Sequence, residues 1–327
     1  MLECSVPLLF LMPSPYCPRP ERLSLSEHLR AASVSDDLRH LLLAIAQSVK
    51  YIRYALLTTD AGLSGMRNQF GEEQLKLDVL SDTIIRQHLC ETRLVFACAS
   101  EEHPKLMEMD SNAKFIVVYD PLDGSSLVDA NFAIGSIFGV YPSSGLLGRT
   151  PREQVAALYV LYGPRTVLVY STGKSVHEFL LNEVGEFVLL REYIGVCDIA
   201  KNYSPGNLRA VNDNAQYRAL MDHWFSRELT LRYSGCMVAD IHHILSKGQG
   251  VFTNIGGSSY PEGKLRLLFE CGPFAYIIEQ AGGKALNGQE AILDVPIRSL
   301  NQRTPVILGS AQEVELAQRV LNSRMVQ

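Results

Sequence analysis

Residues 115 to 126 read Phe115-Ile116-Val117-Val118-Tyr119-Asp120-Pro121-Leu122-Asp123-Gly124-Ser125-Ser126. Five apolar or β-favouring residues in a row specify a buried strand. It is expected to stop at once on an acid, a proline, a second acid and a Gly-Ser-Ser turn. Pro121 fixes its own φ and keeps Asp120 out of the helical region, so the backbone must turn here. Asp120 and Asp123 then lie at the strand's carboxyl end, the edge where open α/β sheets carry ligands. Gly124, Ser125 and Ser126 offer N–H groups and hydroxyls to an oxyanion. Asp-Pro and Asp-Gly are also ordinary turn dipeptides. A second apolar run, Leu94 to Ala99, ends in Ser100, Glu101 and Glu102 and favours the functional reading.

Upstream, Ser24 and Glu27 form a capping-box signature for a short helix. Ser35 precedes a longer one, with Asp36 and Asp37 at its positive end and an apolar stripe of Leu38, Leu41, Leu42, Ile45, Val49, Ile52 and Leu56. Gly62 to Gly71 reads as a flexible loop. A helix is expected from Glu72 to about Leu89, carrying Asp78 and Asp82 on one face. Asp82 reads as a solvated acid. Asp78 sits inside a hydrophobic pattern, where burial raises a carboxyl pKa and suits a general base.

Downstream, Ile134 to Val140, Val155 to Tyr162 and Thr166 to Tyr170 read as strands, and Val176 to Leu190 as a hairpin around Asn182 and Gly185. A composition change near Gly195 to Gly206 marks a boundary. Beyond it helices (Asn214 to Phe225, Met237 to Lys247) alternate with strands (Leu229 to Tyr233, Gly250 to Thr253). Leu265 to Phe269 is a third acid-tipped run, ending at Glu270, before a helix stopped by Gly282-Gly283. Strand Val306 to Gly309 leads to a last helix, with Ser310 and Glu313 as capping box. These patterns divide the chain into an arm (1–22, with five prolines), an N-terminal lobe (23–197) and a C-terminal lobe (198–327).

A formal charge of -5 argues against a nucleic-acid partner. Seven scattered cysteines without a Cys-x-x-Cys fit a reducing compartment and no thiolate zinc site. Cys98 and Cys271 lie in apolar runs and read as small core residues. The run Val6 to Met12 lacks a basic flank and is too short to span a bilayer, and no later segment approaches that length. A cytoplasmic protein without a membrane partner is expected, with a plastid or other organelle left open.

If Glu101, Glu102, Asp120, Asp123 and Glu270 converge, like charges about 4 Å apart repel by ~4 kcal/mol at an effective dielectric near 20. Several such pairs rival the stability of a whole domain. Divalent cations remove the conflict, and an all-oxygen donor set selects Mg²⁺, with Mn²⁺ as substitute. Such ions clamp a phosphoryl group and activate water for in-line attack. Arg232 ends a strand beside Tyr233, where a guanidinium can grip phosphate. Lys264 and Arg266 straddle the start of the Glu270 run, and Arg266 fits poorly with a solvated role. His242 and His243 read as structural.

Asp120 to Ser126 is the Asp-Pro-Leu-Asp-Gly-Ser-Ser signature of the fructose-1,6-bisphosphatase class, which the chain resembles over residues 24 to 322. Further matches are Lys76 to Ser81, Ser100 to Glu102, Met237 to His242, Gly263 to Glu270 and Glu279 to Gly283. Within that class the chain looks more like the sedoheptulose-1,7-bisphosphatase branch at Asn68 to Leu75, Val128 to Ala133, Ser204 to Ala210 and Gly250 to Asn254. Asn254 stands where fructose bisphosphatases place a tyrosine.

The resemblance implies a layered α-β-α-β-α sugar-phosphatase sandwich, an α/β fold of two lobes with the site between them. It implies metal ligands at Glu101, Asp120, Asp123, Glu270 and the Leu122 carbonyl, with Glu72 near a further site. Asp78 and Glu102 would handle the water proton, and Gly124, Ser125 and Ser126 would receive the 1-phosphate beside Asp123. Asn207, Arg232 and Tyr233 would hold the far phosphate, the arginine from a neighbouring subunit in some relatives, so a dimer or tetramer is implied. Lys264 and Arg266 would contact the sugar and its ester oxygen. Pro142 stands where AMP-inhibited relatives carry an arginine, and Val49 to Gly71 holds no regulatory cysteine pair, so neither control is expected. The expected activity is Mg²⁺-dependent removal of the 1-phosphate of sedoheptulose 1,7-bisphosphate. Fructose 1,6-bisphosphate, alone or as a second substrate, is the close rival, and a non-catalytic cation-binding protein the distant one.

Overall fold

One strand supplies two cores. In the computed structural model, which describes residues 23–59, 62–67 and 73–323, strand β5 (Phe115–Asp123) points Val117 and Tyr119 to one side and Ile116 and Val118 to the other. The two-residue period of a strand makes this division automatic. The N-terminal arm, Cys4, Cys17 and Glu72 lie outside the described residues.

The Tyr119 side packs under helices α1 (Leu25–Ala31), α2 (Asp36–Thr58) and α3 (Lys76–Glu91), with Leu29, Ile45, Ile52, Leu77 and Ile85 in its core. The capping box of α1 forms as expected: Glu27 N donates to Ser24 Oγ, and Ser24 N donates to the Glu27 carboxylate. At 23 residues and a mean hydropathy of 1.2, α2 is long and apolar enough to cross a bilayer, contrary to expectation. Its stripe of Leu38, Leu41, Ile45, Val49 and Ile52 is buried against the sheet, which marks a core helix.

The sheet has eight strands. Beside β5 run β3 (Val95–Ser100), β4 (Met107–Glu108), β6 (Ile134–Pro142), β7 (Ala156–Tyr162), β8 (Thr166–Ser171), β9 (His177–Leu181) and β10 (Phe187–Arg191), in the order β10-β9-β8-β7-β6-β5-β3-β4. The β9–β10 hairpin turns at Asn182 and Gly185, as expected. A five-stranded sheet, in the order β12-β11-β13-β15-β14, is built from β11 (Asn202–Gly206), β12 (Thr230–Leu231), β13 (Val251–Asn254), β14 (Lys284–Leu286) and β15 (Val306–Gly309). Between the sheets lie α5 (Met237–Lys247) and α6 (Gly272–Gln280), whose Ile241, Phe274 and Ile277 meet Ile116 and Val118 on one side and Phe252 and Leu308 on the other. Outside the second sheet, α4 (Ala215–Ser226) and α7 (Ala311–Leu321) cover Val251 and Ile307. Helices and sheets alternate in five layers, as the resemblance implies.

Several local expectations fail for identifiable reasons. Strand β5 does not stop at Asp120. It continues to Asp123 through a bulge, with Asp120 opposite Ile137 and Asp123 opposite Gly135, so three residues face two. Pro121, lacking an N–H, is tolerated at such a bulge, and Ser136 Oγ donates to its carbonyl at 2.7 Å. Within the expected loop, Leu63–Arg67 (β1) pairs with Glu73–Leu75 (β2), and α3 begins only at Lys76. The acid-tipped run that ends at Glu270 takes the form of a π-helical turn, Leu267–Cys271. The last helix lacks its side-chain cap. Glu313 turns inward to accept from Trp224 Nε1 at 2.7 Å and Arg227 Nη1 at 3.1 Å, while Ser310 Oγ accepts from Gly250 N.

Candidate active site

Parallel pairing brings the first two acids together. Ser100 lies opposite Tyr119, and Glu101 N donates to Tyr119 O at 3.0 Å, so β3 and β5 deliver Glu101 and Asp120 to one sheet edge. Glu270 arrives from the π-turn, where the backbone N of Arg266, the residue before the turn, donates to Glu270 Oε2 at 2.6 Å. One carboxylate oxygen from each of Glu101, Asp120 and Glu270 lies within 4.8 Å of the others. The Arg266 guanidinium, 5% exposed, pairs with Glu101.

Asp123 is held differently. Its Oδ2 accepts from Val238 N at 2.7 Å and Cys236 Sγ at 3.0 Å, at the start of α5. A helix N-terminus presents free N–H groups and a partial positive charge, which suits a carboxylate. This contact needs a close approach: a Cβ on Gly135 would lie 2.5 Å from Val238 Cγ1, and Gly124 holds φ +80° with its Cβ position 2.9 Å from Cys236 Cβ. Only glycine suits either place.

The electrostatics set these acids apart. Burial pushes the Asp120 carboxyl well above the usual carboxylate range, and Glu101, Asp123 and Glu270 push it further. Burial and Glu101 do the same to Glu270 against the opposing charge of Arg266. Asp123 rises to about 6, by burial, against its bonds to Val238 and Cys236. Neighbouring anions in low dielectric explain all three. An oxygen-only donor set at this spacing fits a hard divalent cation. Octahedral Mg²⁺ places neighbouring ligands about 3 Å apart and opposite ones about 4 Å apart.

The remaining expected residues are spread over several elements. Asp78 is buried in the first turn of α3, and Glu102 is half-buried beside Glu101, its N donating to Ser100 Oγ at 3.2 Å. Leu122 is buried and its N donates to Asp120 Oδ1 at 2.9 Å. Ser125–Leu127 forms a 3₁₀ turn closed by the amides of Leu127 and Val128, which leaves the amides of Gly124, Ser125 and Ser126 outside the turn's own bonds. Asn207 follows β11 in a left-handed conformation, Nδ2 donating to Ile255 O at 2.6 Å. With Arg209, Asp213, Ser258 and Tyr260 it lines a cavity of about 160 Å³. Lys264 reaches over Tyr260, Nζ 4.7 Å from the ring centre, and its N donates to Asn254 Oδ1 at 3.3 Å. Arg232 does not line that cavity. It is exposed, Nη1 donating to Leu231 O, and Tyr233 beside it is also exposed.

Two features escape sequence reasoning. Asp82 is not solvated: it is 2% exposed, accepts from Tyr119 Oη at 2.9 Å and His103 Nε2 at 2.8 Å, and forms an ion pair with Arg86, whose Nε lies 2.9 Å away. Arg86, four residues on, was the available signal. The Cys236 thiol against Asp123 had none.

Residues 21–192 match the family "Fructose-1-6-bisphosphatase, N-terminal domain", and residues 196–322 match the corresponding C-terminal domain. The chain belongs to the fructose-1,6-bisphosphatase family. The chain is 47% identical over 306 residues to the fructose-1,6-bisphosphatase class 1 of Pelobacter propionicus, covering 92% of this chain and 94% of that one. The chloroplastic sedoheptulose-1,7-bisphosphatase of Spinacia oleracea is 40% identical over 295 residues, 89% of this chain and 76% of the relative. Leishmania major fructose-1,6-bisphosphatase in its holo form superimposes with a TM-score of 0.88 at 32% identity, over 93% of this chain and all of the other. Members of this fructose-1,6-bisphosphatase family are metal-dependent sugar bisphosphatases, so the chain is a phosphoric monoester hydrolase.

Proposed function

We propose that this enzyme removes the 1-phosphate of fructose 1,6-bisphosphate with Mg²⁺ as its metal, Mn²⁺ substituting. The convergence of Glu101, Asp120 and Glu270 carries the hydrolytic reading. The substrate follows from relatives, among which bacterial fructose-1,6-bisphosphatases at 47% identity stand above the plant sedoheptulose enzyme at 40%. This shifts the sugar from the seven-carbon ester expected from sequence to its six-carbon rival.

Bound among the carboxylates, the metal would offset charge on the phosphoryl oxygens and lower the pKa of an attacking water. The chain's own groups do the rest. Asp78 and Glu102 take up and return the water proton. The amides of Gly124, Ser125 and Ser126 receive the 1-phosphate, and Asn207, Tyr233 and Lys264 hold the distal end. Arg266, paired with Glu101, orients that carboxylate rather than reaching outward. Arg232, exposed beside Tyr233, suits a phosphate shared across subunits, and we take the enzyme to be a cytoplasmic homo-oligomer of two lobes meeting near residue 197.

Sedoheptulose 1,7-bisphosphate is the second reading, favoured by Asn254. Its side chain is shorter than a tyrosine and is drawn back to Lys264 N, which leaves length for one more carbon. Phosphate release from both esters, with Mg²⁺ present, separates the two. The fructose ester should show the higher kcat/KM. A clear preference for the sedoheptulose ester would reverse the assignment, and no release from either would end it.

A further inference from the structure

Far from the acid cluster, the opposite edge of the eight-stranded sheet gathers a second set of ligand-type side chains. His28 on α1 is 4% exposed, His177 at the start of β9 is 6% exposed, and Glu192 follows β10 with its side chain 41% exposed. One ligand atom from each lies within 4.8 Å of the other two. His177 is paired with Tyr170, which continues across Leu158 and Phe138 to Tyr119 in register. Four strand spacings of about 4.8 Å put this group about 19 Å from the strand that carries Asp120.

The hydrogen bonds leave the group half-explained. His28 Nδ1 lies 2.6 Å from Tyr170 Oη, and His28 Nε2 lies 3.1 Å from Glu192 Oε1. His177 Nε2 is taken by Ser175 Oγ at 2.6 Å, while His177 Nδ1 is buried with no hydrogen-bond partner among the described residues. The two imidazoles meet edge to face, 4.5 Å between centroids, inside a ring of Tyr170, Phe179 and Tyr193. Burial and the neighbouring His28 lower the His177 pKa to about 4, so at neutral pH the ring is uncharged and, with Nε2 on Ser175, Nδ1 is the nitrogen left for a ligand.

We propose that His28, His177 and Glu192 bind a divalent cation of the zinc class, which fastens α1 and the segment after β10 to the sheet edge. Two imidazoles and one carboxylate are a donor set that zinc accepts with a fourth position open. With metal–ligand bonds near 2.0–2.1 Å, a tetrahedral pair stands about 3.3 Å apart, close to the His28–Glu192 separation. Tyr170 on His28 Nδ1 leaves Nε2 as the ligand atom and fixes its orientation. Imidazole nitrogen disfavours Mg²⁺, so the two sites select different metals. The exposed Glu192 gives the ion a route in. The site ties residues 28, 177 and 192, and α1 is otherwise joined to this edge by the Ser24–Val188 bridge and the Leu189 N to Leu23 O bond.

Co²⁺ titration of the full chain in excess Mg²⁺ tests this, because tetrahedral Co²⁺ absorbs in the visible and Mg²⁺ keeps the acid cluster filled. One equivalent should develop a band that Zn²⁺ abolishes, and Zn²⁺ should slow hydrogen exchange in α1. The band should vanish in Glu192→Gln, a partly exposed and nearly isosteric change that preserves the fold, and in His177→Gln. It should survive in Asp120→Asn, and Tyr170→Phe should weaken binding about tenfold. No band in the unchanged protein, or a band that persists in both Glu192→Gln and His177→Gln, would overturn the site and leave a hydrogen-bonded cluster only.

Discussion

Two groups of buried carboxylates are treated in opposite ways. Asp82 is surrounded by donors from three elements: Arg86 on its own helix, His103 after β3 and Tyr119 on β5. Glu313 is answered in the same manner by Trp224 and Arg227. At the acid edge, Asp120 and Glu270 are pressed by Glu101 and by each other, and their carboxyls are driven upward. The first kind of acid is satisfied from within the chain and holds structure together. The second kind is left with excess negative charge, and that excess is the specification for a cation from outside.

The contrast is strongest under substitution. Asp120→Asn should cut phosphate release by on the order of 1000-fold, yet leave the metal-free protein as stable as before or more so, since it removes a crowded charge. Assays of released phosphate beside urea unfolding would show both. Asp82→Asn should do the reverse, costing about 3 kcal/mol of stability because Arg86 and His103 lose their buried partner, with turnover per folded molecule little changed. If Asp82→Asn proved silent in urea, the two groups would not differ as described.

Acidity offers a gentler probe. Between the ordinary aspartate pKa of 3.8 and its folded value of about 6, Asp123 keeps a proton in the folded state that it loses in the unfolded chain. The folded state therefore binds more protons there, and stability must fall as pH rises through that window. Asp120 and Glu270 are shifted in the same direction and add to the slope. EDTA-treated protein should accordingly lose melting temperature from about pH 4 to about pH 7, and Mg²⁺ should restore it. A flat profile would mean that the acids are compensated internally after all. The smallest change is Cys236→Ala, which removes one donor from Asp123 and keeps the Val238 amide. Metal affinity should weaken about tenfold, with Cys236→Ser recovering most of it through its hydroxyl.

Local order was largely legible in the sequence. Helix Met237–Lys247 and strand Val306–Gly309 carry their own periodicity, and both appear with the bounds expected. The meeting of Glu101, Asp120 and Glu270 was also legible, because each closes an apolar run and their mutual repulsion demands a purpose. What stayed hidden depends on contacts between distant segments. The partners of Asp82 include residues 21 and 37 positions away, and only the sheet brings them round. The bond from Arg266 N to the Glu270 carboxylate forms at the start of a π-helical turn, which the apolar run Leu265 to Phe269 does not announce. Cys236 resembles any small core residue until Asp123 is seen against it.

The strand that carries Asp120 and Asp123 belongs to the first sheet, while the amide that grips Asp123 and the carboxylate that completes the cluster lie at 238 and 270. A ribosome that has so far released two hundred residues has thus made the acidic turn without Glu270, Arg266 or the α5 amide. Such an unfinished chain should be inert toward phosphate esters, and catalysis becomes an end-of-synthesis event, switched on by the closing of the second half over the first.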